Sequence, residues 1–260
     1  EISYAAGFGL TFFTMVVVVN AYNLIDGIDG LAGGIGVIAS AFFGWWFWEA
    51  GMIPHAILSI TLAGALLAFL WYNFQPASIF MGDTGSQIVG YVLAFLAVTF
   101  VKTGTTATQA VPFQEAVPVL VLSVLIVPLY DTLRVFFVRL FNGQSPFAAD
   151  RRHVHHQLID LGFSHRGACY ILYGYTLAIV GLTVSFSGIG VNILLGTVLL
   201  TAVLLFPTAH LKRKLVKMLG FELPSRRQVK IFEMKYGMHP RQKKTVGKKY
   251  NRNGVTNGLS

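Results

Sequence analysis

Apolar residues run along this chain in long blocks, and the polar segments that interrupt them are of two kinds. A hydrocarbon core about 30 Å thick needs roughly 20 apolar residues to be crossed by a helix. Seven stretches meet or approach that length: 4–22, 31–49, 56–74, 86–101, 117–138, 169–186 and 189–208. The predicted fold is therefore an all-α, polytopic membrane protein with about seven transmembrane helices. The connections 49–55, 102–115 and 187–188 are short or chemically bland, whereas 20–30, 75–86 and 141–167 carry nearly all the Asp, His and Arg found before the tail. Alternating spans put the bland connections on one side of the membrane and the rich ones, with the C-terminus, on the other.

Composition supports this reading: 54% hydrophobic with only 12% charged residues is unlike a soluble domain. The net charge of +9 raises the question of nucleic acid, but most of it lies in the last fifty residues. Nineteen of the twenty Lys and Arg fall on the rich side, Lys102 being the exception, so the positive-inside rule makes that side cytoplasmic. Residues 1–208 are thus expected to form a transmembrane catalytic domain. Residues 209–260 are expected to form a basic cytoplasmic tail, partly disordered, that touches anionic headgroups and does not bind nucleic acid. The single Cys169 permits no intramolecular disulfide. An opening on Glu1 within a few residues of a membrane helix predicts that the chain begins partway through a longer protein.

All six Asp lie on the rich side. In Asn20-Ala-Tyr-Asn-Leu-Ile-Asp-Gly-Ile-Asp-Gly-Leu31, Asp26 and Asp29 stand three residues apart and share a face if the segment stays helical. Asn23, Asp26 and Asp29 offer the hard oxygen atoms that Mg²⁺ takes, and Gly27 and Gly30 keep the turn bare enough for a phosphate to approach. An Asx helix cap is the plain alternative. In the second rich stretch Pro76 ends a helix, and Gly82 and Gly85 flank Asp83 where the next one begins, a place suited to a metal-bound phosphate or simply to a cap. Phe80 is either a packing aromatic or a stacking surface for a base. In the third, Asp150, Gly162 and Ser164 punctuate a short amphipathic cytoplasmic helix at about 151–161. His153 and His156 share a face of it, with His155 beside them. Zinc would want a further ligand there, whereas the adjacent Arg151 and Arg152 suit phosphates. A solvated basic helix is the alternative. Asp131 and Arg134, one turn apart near the end of the fifth span, either neutralise each other or mark a functional site.

Three motifs resemble the polyprenyl-phosphate N-acetylhexosamine-1-phosphate transferases: Asn20-Ala-x-Asn-x-x-Asp-Gly-x-Asp-Gly-Leu-Ala32, Pro76-Ala-x-x-Phe-Met-Gly-Asp-Thr-Gly-Ser86, and Ser145-Pro-Phe-x-x-Asp-Arg-x-His-x-His-His156. With the spans between them they cover residues 1 to about 175. The resemblance implies transfer of a sugar 1-phosphate from a UDP-sugar to undecaprenyl phosphate in a bacterial cytoplasmic membrane, with release of UMP. It implies Mg²⁺, with Mn²⁺ an option, held by Asn23 and Asp83, and acidic participation by Asp26 and Asp29. It further implies uracil stacking on Phe80, with Asn73 also among the substrate-binding residues. His153, His155, His156 and Arg151 would lie at the diphosphate. The His-x-His-His spacing is closer to the N-acetylglucosamine branch than to the muramoyl-pentapeptide branch, and UDP-N-acetylglucosamine is the expected donor. Such enzymes also carry an Asp-Asp pair before the first helix seen here, and this chain has none, which again predicts a missing N-terminal part. Direct and covalent transfer both remain open, as does a homodimer. A transporter with carboxylates at helix breaks is the reading from another class, but transporter sites tend toward the midplane, and these carboxylates sit at span ends.

Overall fold

The computed structural model describes residues 3–106, 111–143 and 153–205, and no strand occurs among the described residues. Four helices come first: α1 (Tyr4–Ile25), α2 (Leu31–Glu49), α3 (Ile53–Asn73) and α4 (Gly82–Thr106). Then follow α5 (Val117–Val124), α6 (Ile126–Phe141), α7 (Val154–Asp160), α8 (His165–Ser185) and α9 (Val191–Leu205). Helices α1 to α4 and α8 are each long and apolar enough to cross a membrane. This is a multi-pass membrane protein.

The fifth expected span, 117–138, is not one straight helix. The segment ending at Val124 and the one beginning at Ile126 meet at a bend of 64°. Pro128 supplies the cause, because its ring clashes with the carbonyl four residues back, that of Val124, and it has no N–H to donate there. The last expected span, 189–208, is seen as the 15 residues of α9. The expected boundary at 208 and the basic tail lie outside the described residues.

Helix α2 is the central element. Leu31, Ile35, Ala39, Phe43 and Trp46 are buried at helical spacing along it. It turns at Gly51, where φ is +71°, straight back into α3, and Gly44 faces Ser59 and Ile60 closely enough that a Cβ there would crowd them. Between α1 and α4 the contact is just as tight, since a Cβ on Gly90 would lie 3.1 Å from Val19 Cα and 3.2 Å from Tyr22 Cβ. Small residues at such crossings let backbones approach, which is how helices associate in lipid. Phe8, Phe12 and Phe13 of α1 and Ile57 and Ile60 of α3 point outward, as expected where the surrounding solvent is hydrocarbon.

The two kinds of connection separate to opposite ends. At the bland end the Trp46 indole donates to the Pro112 carbonyl at 2.8 Å, and Trp46 packs edge-on against Phe100 with ring centroids 4.4 Å apart. The described parts of the rich connections gather at the other end.

Candidate active site

Helix α1 stops at Ile25, and the Asp26 N–H bonds back to the Asn23 carbonyl at 3.1 Å. From Asp26 to Gly30 the chain is a turn, so Asp26 and Asp29 do not share a helix face as periodicity suggested. Gly30, with φ at +88°, makes the turn possible, because that left-handed conformation costs glycine almost nothing. Three groups hold the Gly30 end of this turn. The Asn73 side-chain oxygen accepts from Gly30 N–H at 2.8 Å, Tyr173 donates its hydroxyl to the Gly30 carbonyl at 2.5 Å, and the Cys169 thiol faces the Asp29 carbonyl at 3.3 Å.

The second rich stretch is fastened to the first. Asn73 also donates through Nδ2 to the Ile79 carbonyl at 2.8 Å, and Ala77 N–H points at Asp29 Oδ2 at 3.4 Å. Asn73 is 3% exposed, and both ends of its amide are engaged by backbone. Where sequence put it with the substrate-binding residues, the structure places it as a strut between two loops. The Arg166 guanidinium donates to the Gln75 carbonyl and lies over the Phe74 ring at 5.9 Å, which ties in the start of α8.

Helix α4 opens at Gly82, whose φ is +67°, with Asp83 exposed in its first turn. Asp83 stands seven residues before Gly90, roughly 10 Å along the helix, and Asp26 four residues past Tyr22, roughly 6 Å. Since Gly90 packs on Val19 and Tyr22, Asp83 lies at the same end of the bundle as Asn23 and Asp26. Phe80, between the two loops' anchors, is exposed.

The third stretch departs furthest from expectation. Helix α7 covers only Val154–Asp160, and His153, not Asp150, precedes its first turn. Asp150, Arg151 and Arg152 lie outside the described residues. The helix ends as predicted at Gly162, where the Gly162 and Phe163 N–H groups bond to the Ile159 and Leu158 carbonyls in a Schellman arrangement, and Ser164 caps α8 through Gly167 N–H. It is not a solvated helix, because Val154, His155, Gln157 and Leu158 are buried. Asp131 of α6 accepts from His153 Nδ1 at 3.1 Å and from Val154 N–H at 2.9 Å, and also pairs with Arg134 at 3.3 Å. Sequence had paired Asp131 with Arg134 alone.

His155 lies beneath the acidic turn. A Cβ on Gly27 would fall 2.8 Å from His155 Cε1 and closer still to Nε2. Its ring lies nearly parallel to that of His153, at 5.7 Å, and 4.3 Å from that of His156. Neither ring nitrogen has a hydrogen-bond partner among the described residues. Burial first, then the neighbouring His156, pushes the imidazole down to about 3. At neutral pH it is therefore uncharged, unlike the cationic grip on phosphate that a His-rich helix suggests.

Among the described residues no three His, Cys, Asp or Glu side chains are gathered so as to hold a metal by themselves. Mg²⁺ is commonly bound through one or two carboxylates and completed by phosphate and water, and the oxygen donors Asn23, Asp26, Asp29 and Asp83 fit that pattern. Sequence reasoning missed Arg166, Cys169 and Tyr173, since nothing local marks a residue of α8 as a partner of residues 29–30 or 75. For Asp131 the signal was present: a carboxylate inside an apolar span.

Residues 1–101 match the family described as glycosyl transferase family 4. A probable undecaprenyl-phosphate N-acetylglucosaminyl 1-phosphate transferase of Bacillus subtilis is 37% identical over 164 residues, 63% of this chain and 44% of that protein. The decaprenyl-phosphate N-acetylglucosaminephosphotransferase of Mycolicibacterium smegmatis is 36% identical over 179 residues, 63% of this chain and 43% of its own length. The Escherichia coli undecaprenyl-phosphate alpha-N-acetylglucosaminyl 1-phosphate transferase is 32% identical over 187 residues, 70% of this chain and 49% of that protein. The chain spans less than half the length of these curated relatives.

Proposed function

We propose, from the match of residues 1–101 to glycosyl transferase family 4, that this chain carries a large part of the active site of a polyprenyl-phosphate N-acetylglucosamine-1-phosphate transferase. The donor is UDP-N-acetylglucosamine, the acceptor undecaprenyl phosphate, and UMP the leaving product. The reaction takes place on the cytoplasmic face of the bacterial cytoplasmic membrane. The carrying observation is the convergence of the three polar loops at one end of the bundle through Asn73–Gly30, Asp29–Ala77, Gly27–His155 and Asp131–His153. Carboxylates at span ends also favour an enzyme acting on a soluble nucleotide over a midplane transporter site.

Phosphoryl transfer asks chiefly for positioning and charge neutralisation. Asn23 and Asp83 would hold Mg²⁺, with Asp26 and Asp29 close by; when bound, the ion neutralises charge on the diphosphate. Phe80 offers its exposed face to the uracil. His153 and His156, with Arg151, stabilise charge developing on the leaving UMP. His155 supports the acidic turn from beneath. The lipid phosphate reaches this end of the bundle from the bilayer and the nucleotide from water.

The test is UMP release by the protein reconstituted in vesicles. Release should require UDP-N-acetylglucosamine, a polyprenyl phosphate and Mg²⁺ together. Turnover undiminished in excess chelator, or in vesicles without polyprenyl phosphate, would overturn the reading. A preference for the muramoyl-pentapeptide donor would move the protein to the neighbouring branch.

A further inference from the structure

The carboxylate of Asp131 lies inside the bundle, 2% exposed, and is surrounded by N–H groups from two elements. One of its oxygens accepts from Val154 N–H, the first backbone donor of α7, which no side chain at His153 caps. The other accepts from His153 Nδ1, and because a carboxylate offers no proton, that nitrogen carries it. The proton on Nδ1 is thereby fixed, and Nε2 is the remaining nitrogen, which in the imidazolium form carries an N–H that can donate to a phosphate oxygen. A carboxylate behind a histidine fixes tautomer and ring orientation together, and the wrong tautomer disables an otherwise intact site.

We propose that Asp131 is a positioning residue for the transfer reaction: it docks the start of the histidine helix on α6 and holds His153 so that Nε2 is the atom presented to the substrate phosphates. This rests on the reaction proposed above. The pairing also explains an acidic residue in an apolar helix, where an unpartnered charge would be costly. Arg134, one turn along α6, shares the Val154-facing oxygen and leaves the His153-facing one to the imidazole.

Asp131→Asn keeps size and can still accept from Val154 N–H. Its amide then turns a donor toward Nδ1 and favours the other tautomer. Histidine-selective ¹⁵N spectra of the bilayer-embedded protein at alkaline pH, with His153→Gln used to assign the signal, should show His153 protonated on Nδ1 in the parent and on Nε2 in Asp131→Asn. Turnover should fall about 10²-fold, mainly in kcat, and Asp131→Glu should recover part of it. In the His153→Gln background Asp131→Asn should add little, because both changes remove one function. An Nε2–H signal in the parent protein overturns the pairing, whether or not the Asn variant folds. Kinetic losses that simply add, or turnover within threefold of the parent in Asp131→Asn, overturn the positioning role. Parent protein with the Nδ1–H signal but no sugar-phosphate transfer supports the pairing and overturns the proposed reaction instead.

Discussion

His155 occupies the space that a side chain on Gly27 would need, so the middle of the acidic turn and the middle of the histidine motif are fitted to each other atom against atom. The ring is buried and flanked by His153 and His156, and it cannot swing aside without disturbing them. Gly27→Ala should therefore displace the turn that carries Asp26 and Asp29 and lower turnover at least tenfold. Gly174→Ala, in open space on α8, should leave turnover within twofold. Assaying both variants in the same vesicles checks the expectation, and equal effects would refute it.

Acid should loosen this end of the protein. With its folded-state value pushed down to about 3, against about 6.5 in an unfolded chain, His155 binds its proton more readily when unfolded. Its contribution is fully present above pH 6.5 and is lost progressively as pH falls toward 3, the unfolded chain taking up the proton first. Melting temperatures measured from pH 7 to pH 4 should drop more steeply in the parent than in His155→Gln, which has nothing to protonate there. Parallel curves would show that the ring is not buried uncharged.

Asn73 joins two loops through one amide, and Asn73→Ala would leave the Gly30 N–H and Ile79 carbonyl without their partners. At about 1–3 kcal/mol for the buried Gly30 N–H left unmet, and less for the carbonyl of the exposed Ile79, a loss of roughly 1–4 kcal/mol is expected. Denaturant or thermal unfolding in detergent would read it. A variant as stable as the parent but weakened only in substrate binding would restore Asn73 to the substrate.

Asp83→Asn should reduce turnover by more than tenfold, about 1.4 kcal/mol or more of barrier stabilisation, while leaving the melting curve unchanged, since the side chain is exposed in the first turn of α4. Raising the Mg²⁺ concentration should recover part of the loss if the carboxylate helps hold the ion. A small effect that is insensitive to Mg²⁺ would make Asp83 a helix-end residue only.

Hydropathy alone determined the class of this protein. Blocks of apolar residues force helices because the bilayer interior offers no water to satisfy backbone groups. The alternation of those blocks then put loops 20–30 and 75–86 and the described parts of 141–167 at one end. Asp26, Asp29, Asp83 and the histidines stood out as candidates, because hard oxygen donors, glycines and imidazoles clustered at helix ends carry their chemistry in their side chains. What the tertiary structure decided was how those groups are held. The burial of α7, the uncharged state of His155, the strut made by Asn73 and the carboxylate of Asp131 behind His153 all depend on residues from different helices meeting. Helical periodicity describes one helix at a time, and it carries no information about which buried polar groups of separate helices must satisfy one another.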